Sequence, residues 1–411
     1  MAMDGEGEAV ASFDLRTLPG SFYENPYPTY HALRREAPVL RLPDGAWLLT
    51  GHAELVRVYR DPAVFSSAKK VEFLPKFGDS PLYEHHTNSL VFSDPPLHTR
   101  VRRAMVGALT SRAIVEMEAA VEELVARLLD RAERLGRFDL IGDFAAAIPV
   151  EVIGNLLGVP HDERGPLRDW SLAILGALEP SITPEMFVAG NRAVSEFIDY
   201  LRVLVAERRR RPGDPAHDVL TRLIQGEGGG EGGGAPLSET ELLQNCIFIL
   251  NAGHETTTNL IGNALYTLLE WPAEAARLRS EPGLMRTAVE EFLRFESPVQ
   301  LGNRRALAAA EVGGIALPEG ALVTLALGAA NRDPAVFADP DRLDLAREPN
   351  RHLAFAFGIH QCVGLNVARM EGRIAIGRFL ARFPRYRLAG PALRGMRARF
   401  RGFLSIPVEA G

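Results

Sequence analysis

The sequence predicts a mainly α protein with a small β portion, and three observations carry that expectation. From Asp94 to Arg210 apolar residues recur at helical spacing, in Ala108–Arg137, Asp139–Leu157, Asp162–Ala177 and Thr183–Arg210. Ser238-Glu239-Thr240-Glu241 forms a capping box, opening a helical pattern that runs to Glu270, ahead of Pro272. Strand signals are confined to Val39–Thr50, to alternating runs in Leu301–Leu325, and to the C-terminal tail.

Taken in order, Tyr23–Ala37 reads as a short helix behind Pro26 and Pro28. Val39–Leu42 and Ala46–Thr50 flank Pro43-Asp44-Gly45, a hairpin signal of the Asp-Gly type. His52–Tyr59 is helical and stops before Asp61-Pro62. Phe65–Phe92 mixes glycine, proline, histidine and aromatics without a period, and is expected to be a long functional loop. Asp94 is expected as an N-cap, with Pro95 at the first helical position. Gly226–Pro236 is expected to be a flexible loop between helices, as is the segment 1–20 at the N-terminus. Pro282–Phe295 is helical, Asn331–Asn350 is irregular, Val363–Arg382 is helical, and a strand-rich tail follows through Tyr386, Leu388, Phe403 and Ile406. No internal repeat is present, and 1–411 is read as a single domain.

Composition narrows the function. A net charge of −6 argues against a general nucleic-acid binder. The two cysteines, Cys246 and Cys362, make no disulfide framework, as expected of a reducing cytoplasm. The N-terminus has no basic region followed by an apolar run, and the longest apolar stretches are too short or interrupted to span a bilayer. A cytoplasmic protein is expected.

Phe355-Ala356-Phe357-Gly358-Ile359-His360-Gln361-Cys362-Val363-Gly364 places a lone thiol among small residues. A helix starting at Val363 would aim its N–H groups at Cys362 and favour the thiolate. A thiolate held this way suits haem iron. The competing reading is a buried cysteine in a glycine-rich turn.

Four motifs decide between them: Phe355-x-x-Gly358-x-x-x-Cys362-x-Gly364; Ala252-Gly253-His254-Glu255-Thr256-Thr257 within the longest helix; Glu290-Glu291-Phe292-Leu293-Arg294; and Asp94-Pro95-Pro96-Leu97-His98 with Arg102. In this order, over nearly the whole chain, the set resembles the cytochrome P-450 family of haem-thiolate monooxygenases in its soluble bacterial form. The resemblance implies a triangular, α-rich haem domain crossed by one long helix. It implies haem b as cofactor, Cys362 as the axial metal ligand, and contacts to the cofactor from Phe355, Gly358 and Gly364.

Ala252 and Gly253 lack bulk, so the long helix is expected to pass close over the haem face and leave room for dioxygen. Glu255 and Thr256 set an acid beside a hydroxyl, as proton delivery requires; outside this motif they would read as a surface acid and a back-bonded helix hydroxyl. Glu291 and Arg294 share a helical face, and the family pairs them with a later arginine, here Arg347, in a buried ion network that is structural rather than catalytic. The haem carboxylates need donors; by resemblance these are His98, Arg102, Arg304 and His352, with His360 as a fifth and Arg305 as a rival to Arg304. The substrate is expected to meet Phe248, Asn251, Val299, Gln300 and Phe403. Three departures from the family stand out. Ala356 replaces a frequent glycine, which costs little if φ stays negative. Leu109 and Leu343 replace frequent phenylalanines. Asn251 replaces an apolar residue and, so close to the haem, needs a partner.

The resemblance implies insertion of one oxygen atom from dioxygen into a small or medium organic substrate, in secondary metabolism. Electrons would come from a ferredoxin and its NAD(P)H-dependent reductase, docking on Arg100, Arg103, Arg369 and Arg373, which otherwise read as solvated arginines. A peroxide-using haem-thiolate enzyme and a non-catalytic haem sensor are the alternatives; neither explains the Glu255-Thr256 pair.

Overall fold

The computed structural model describes Val10 and residues 12–215, 218–226 and 237–411. The chain forms two compact units. One comprises the chain up to Ser67 with Asn259–Cys362 and Phe379–Gly411; the other comprises Ala68–Thr258 and Val363–Arg378.

The first unit holds a five-stranded sheet in the order Val39–Arg41, Trp47–Leu49, Leu322–Ala326, Leu301–Ala306, Phe65–Ser66. The Asp44-Gly45 turn behaves as expected: Gly45 takes φ +87° and Val39 pairs with Leu49. Trp47–Leu49 runs parallel to Leu322–Ala326, while the remaining pairings are antiparallel. One apolar cluster joins Leu49, Leu55, Tyr59, Phe65, Val323 and Leu325. A second joins Phe22, Tyr30, Leu33 and Leu48 with Phe13 and Leu15. Thus the latter part of the N-terminal segment expected to be flexible is packed: burial of Phe13 and Leu15 offsets the entropy of ordering it.

The second unit is helical. It holds the helices Ser111–Leu135, Ala147–Leu157, Leu167–Gly176, Pro184–Arg210 and Val219–Gln225 and the N-terminal part of the long helix Glu239–Glu270. Thr110 and Thr183 cap two of these through their side chains. Leu140–Leu157 is apolar enough to cross a membrane by length and composition, but 67% of it is buried inside the protein, as a π-turn followed by a core helix.

Two expectations are corrected here. Phe65–Phe92 is not a long loop: it folds into helices Lys70–Phe77 and Pro81–Asn88 and a 3₁₀ turn at Leu90–Phe92. The readable signal was Ser80-Pro81, an N-cap followed by proline; Ser80 accepts a bond from the Tyr83 N–H. The helix after Asp94 begins at Leu97, not Pro95. A residue before proline is driven out of the helical region, so Pro95 cannot be helical ahead of Pro96; the Asp94 carbonyl nonetheless accepts from the His98 N–H at 3.1 Å. The Ser238–Glu241 capping box forms in both directions, at 2.9 and 3.2 Å, and opens a helix of 32 residues. Most of the glycine-rich stretch Gly226–Pro236 lies outside the described residues.

Candidate active site

The cysteine loop is shaped by backbone bonds. Cys362 N–H donates to the Phe355 carbonyl at 2.9 Å, and Gln361 N–H to Gly358 at 3.1 Å. Gly358 has φ +71°, and a Cβ there would collide with the Tyr59 carbonyl, so glycine is required twice over. Ala356 does not keep negative φ as expected: it stands at +55°, a left-handed conformation that a Cβ disfavours. The following helix starts at Leu365 rather than Val363, and its first carbonyl, Gly364, accepts from Ala368 at 2.9 Å. Cys362 is half-exposed, and a Cβ at Gly364 would meet nothing within 4 Å.

Glu291 and Arg294 in the same unit are both fully buried. Arg294 grips Glu291 through Nε and Nη2 at 2.7 and 2.8 Å, and Arg347 Nε reaches both carboxylate oxygens at 3.2 Å. Asn350 and the Asp344 N–H complete the carboxylate's partners. Arg294 also donates to the carbonyls of Asn331 and Pro340, which ties the irregular stretch before the cysteine loop in place. Leu343, a departure from the family, is completely buried.

Of the basic residues expected at haem, Arg304 is buried beneath the sheet and lies over the Tyr59 ring at 5.0 Å. Strand alternation leaves Arg305 half-exposed, so Arg304 is the inward member of the pair. His352 is engaged elsewhere: its Nδ1 accepts from the Ala354 N–H at 3.2 Å, which leaves Nε2 to donate to Glu290 at 3.1 Å. His98 is buried and Arg102 half-exposed, one turn apart on the helix Leu97–Ala108. His360 is half-exposed in the 3₁₀ turn just before Cys362.

The long helix is mostly buried in its middle, apart from Gly253 and one line of residues. Phe248 and Thr256 are half-exposed and Ala252 is exposed, each four residues from the next. Gly253 is half-exposed beside this strip. A Cβ at Gly253 would strike Ile153 on the helix Ala147–Leu157, so the missing side chain also permits helix packing. The Thr256 hydroxyl donates to the Ala252 carbonyl at 2.7 Å. Glu255 is buried, not a surface acid. His254 is buried with neither ring nitrogen hydrogen-bonded, and burial lowers its pKa to about 4, so it is neutral.

Sequence reasoning missed two features. Glu371, on the helix after the cysteine loop, hydrogen-bonds Thr257, and burial pushes its pKa to about 8. Its signal was position: it falls four after Val367 and three before Ile374, on the apolar face. The other is a polar chain at Asn251. His85 Nδ1 bonds Gln244 Oε1 at 3.0 Å, and Asn251 Nδ2 meets His85 Nε2 at 3.4 Å. Burial lowers the His85 pKa to about 4. Asn245 adds bonds to Leu90 N–H and the Asn88 carbonyl, so the helix mistaken for a loop is fastened to the long helix.

The other substrate candidates divide. Val299 is half-exposed beside Phe400. Gln300 is buried, and its amide donates to the Ser297 carbonyl at 2.8 Å. Phe403 is likewise buried, its ring 4.5 Å from Tyr266 with Arg394 over it at 4.1 Å. Among the docking arginines, Arg100 pairs with Glu241 at 2.7 Å and Arg373 with Glu118 at 2.5 Å.

A family model described as cytochrome P450 matches residues 175–385. The chain is 38% identical to cytochrome P450 107B1 of Saccharopolyspora erythraea, over 97% of this chain and 98% of that protein. It is 37% identical to 6-deoxyerythronolide B hydroxylase of the same organism, over 89% and 90%. The crystal structure of P450BioI in complex with an acyl carrier protein carrying hexadec-9Z-enoic acid superimposes with a TM-score of 0.88 at 32% identity, covering 95% of this chain and 100% of that one. The chain belongs to the cytochrome P450 family, and it is a haem-dependent monooxygenase of the bacterial type.

Proposed function

We propose that the chain is a single functional haem domain that binds haem b through Cys362 and oxidises a small or medium organic substrate, by hydroxylation or a related insertion, in bacterial secondary metabolism. Bacterial enzymes of this family work with redox partners and small-molecule substrates; here we assign the partners as a ferredoxin and its NAD(P)H-dependent reductase. The same reading includes a cytoplasmic setting.

The residues fit the cofactor. Cys362 is half-exposed in a loop held by its own backbone, Gly364 has open space where a Cβ would stand, and Arg304 brings a buried cation. Haem, when bound, supplies the oxidising chemistry at its iron. Cys362 would ligate its iron. Arg304, His98 and Arg102 hold the carboxylates; His352 and His360 are further donors, the former in exchange for its bond to Glu290. Phe355, Gly358, Ala252 and Gly253 shape the walls, Gly253 through its packing on Ile153. Glu255 and Thr256 would serve as the acid and hydroxyl of a proton relay. Glu291, Arg294 and Arg347 brace the loop. The substrate would lie along Phe248, Asn251 and Val299, with Gln300 and Phe403 as further candidates.

The observation that carries this reading is the open strip Phe248–Ala252–Thr256 on a helix whose middle is mostly buried, with Glu255 beside it. The test is reconstitution with haem, ferredoxin, reductase and NADPH, following the carbon monoxide difference spectrum of the reduced protein and then product formed per NADPH. A thiolate-type spectrum with tightly coupled turnover is expected. Peroxide-supported turnover that outpaces the ferredoxin-driven rate would instead favour a peroxide-using enzyme.

A further inference from the structure

Asn251 sits on the edge of the open strip, three residues from Phe248 and four from Glu255, and is 2% exposed. Its Oδ1 is buried without a hydrogen-bond partner. The amide is oriented by the residues behind it. Gln244 Oε1 accepts from His85 Nδ1, so a neutral His85 carries its proton there and offers a lone pair at Nε2. Asn251 Nδ2 donates to that lone pair at 3.4 Å. The chain Gln244–His85–Asn251 has one sense of polarity, and it ends on an acceptor. Were His85 protonated, both its nitrogens would donate, and Asn251 would have to turn over.

We infer that Gln244, His85 and Asn251 form an oriented buried hydrogen-bond chain whose open end, Asn251 Oδ1, selects substrates carrying a hydroxyl or N–H donor. This deepens the monooxygenase reading and rests on the proposal that the strip lines the substrate pocket. A buried acceptor left unpaired is costly, and a site built around one discriminates strongly between a donor and its methylated analogue. His85 and Gln244 are positioning residues; Asn251 makes the contact. The apolar wall at Phe248 supplies the body of the affinity, and the amide supplies the orientation.

The test uses the haem-loaded protein and iron-coordinating probes, since the natural substrate is unidentified. 4-Phenylimidazole, its three hydroxyphenyl isomers and the matching methoxyphenyl compounds are titrated by the shift of the Soret band. At least one hydroxyl isomer is expected to bind about five- to tenfold more tightly than its methoxy partner. That ratio is expected to fall to about one in Asn251→Leu and to drop in His85→Phe, which removes the partner that orients the amide. Gln244→Met serves as a third variant if either of these does not fold. Equal binding of every hydroxyl and methoxy pair by the unsubstituted protein would overturn the inference. So would a ratio that survives Asn251→Leu, or a preference for the methoxy compounds, which would mean that the amide presents its N–H instead. Absence of any Soret shift with 4-phenylimidazole itself would remove the haem-pocket reading and the inference with it, whereas a normal shift without discrimination would remove only the inference.

Discussion

Glu291 and Arg294 meet in two parallel N–H···O bonds, 2.7 and 2.8 Å long, with neither side chain exposed to solvent. Removing Glu291 leaves the Arg294 charge buried without its counterion. Glu291→Leu is expected to destabilise the fold by about 3–5 kcal/mol in urea or thermal unfolding. Glu291→Leu/Arg294→Met is expected to lose less than the two single changes added together. Additive losses would show that the two side chains act independently.

Ala356 and Gly358 make a matched pair of backbone tests. Ala356 already holds φ +55°, so Ala356→Gly is expected to raise stability by about 1 kcal/mol, by relieving the Cβ. Gly358→Ala places a Cβ against the Tyr59 carbonyl and is expected to lower both stability and the fraction of protein that takes up haem. Differential scanning calorimetry and the ratio of Soret to protein absorbance read the two effects separately.

Glu371 predicts a pH dependence of stability. Burial lifts its folded pKa from 4.5 to about 8, and its hydrogen bond with Thr257 opposes that rise. Between those values the folded protein holds a proton that the unfolded chain has released. Stability from this group is therefore fully present below the unfolded pKa and declines as pH rises toward about 8, by up to about 1.4 kcal/mol per pH unit. Glu371→Gln, which keeps a neutral side chain at every pH, is expected to flatten the profile between about pH 5 and 8. Parallel profiles for the two proteins would contradict the assignment.

The pair Glu255–Thr256 predicts a change in coupling rather than in binding. Glu255→Gln and Thr256→Val are expected to lower product formation by about 10²-fold, while oxygen is still consumed and appears as hydrogen peroxide. Thr256→Ser, which keeps the hydroxyl now bonded to the Ala252 carbonyl, is expected to retain more of the product yield than Thr256→Val. Product, oxygen and peroxide measured in one reaction give the balance.

Much of the fold was legible because it rests on local chemistry. The Asp44-Gly45 turn, the Ser238–Glu241 box and the helix His52–Tyr59 each follow from residues adjacent in the chain. The segment from Phe65 to Phe92 was misread because its helices are short, and what fastens them lies more than 150 residues away, as in the bonds from Gln244 to His85 and from Asn245 to Leu90. Site residues follow the same division. Glu291, Arg294 and Arg347 were readable from helical spacing and a motif. The packing of Gly253 was not readable because Ile153, which a Cβ there would meet, lies far off in the chain, and the positive φ of Ala356 is set by the loop closure through Cys362 and Phe355 rather than by its own sequence.

The open line on the long helix has a further consequence. Phe248, Ala252 and Thr256 are each one turn apart, so the strip extends roughly 12 Å. Along that length the chain offers an aromatic ring, then a methyl group, then a hydroxyl. A ligand laid against it is gauged at three heights, with the most room at the centre, so both its length and the position of its bulk are tested before any polar contact is made.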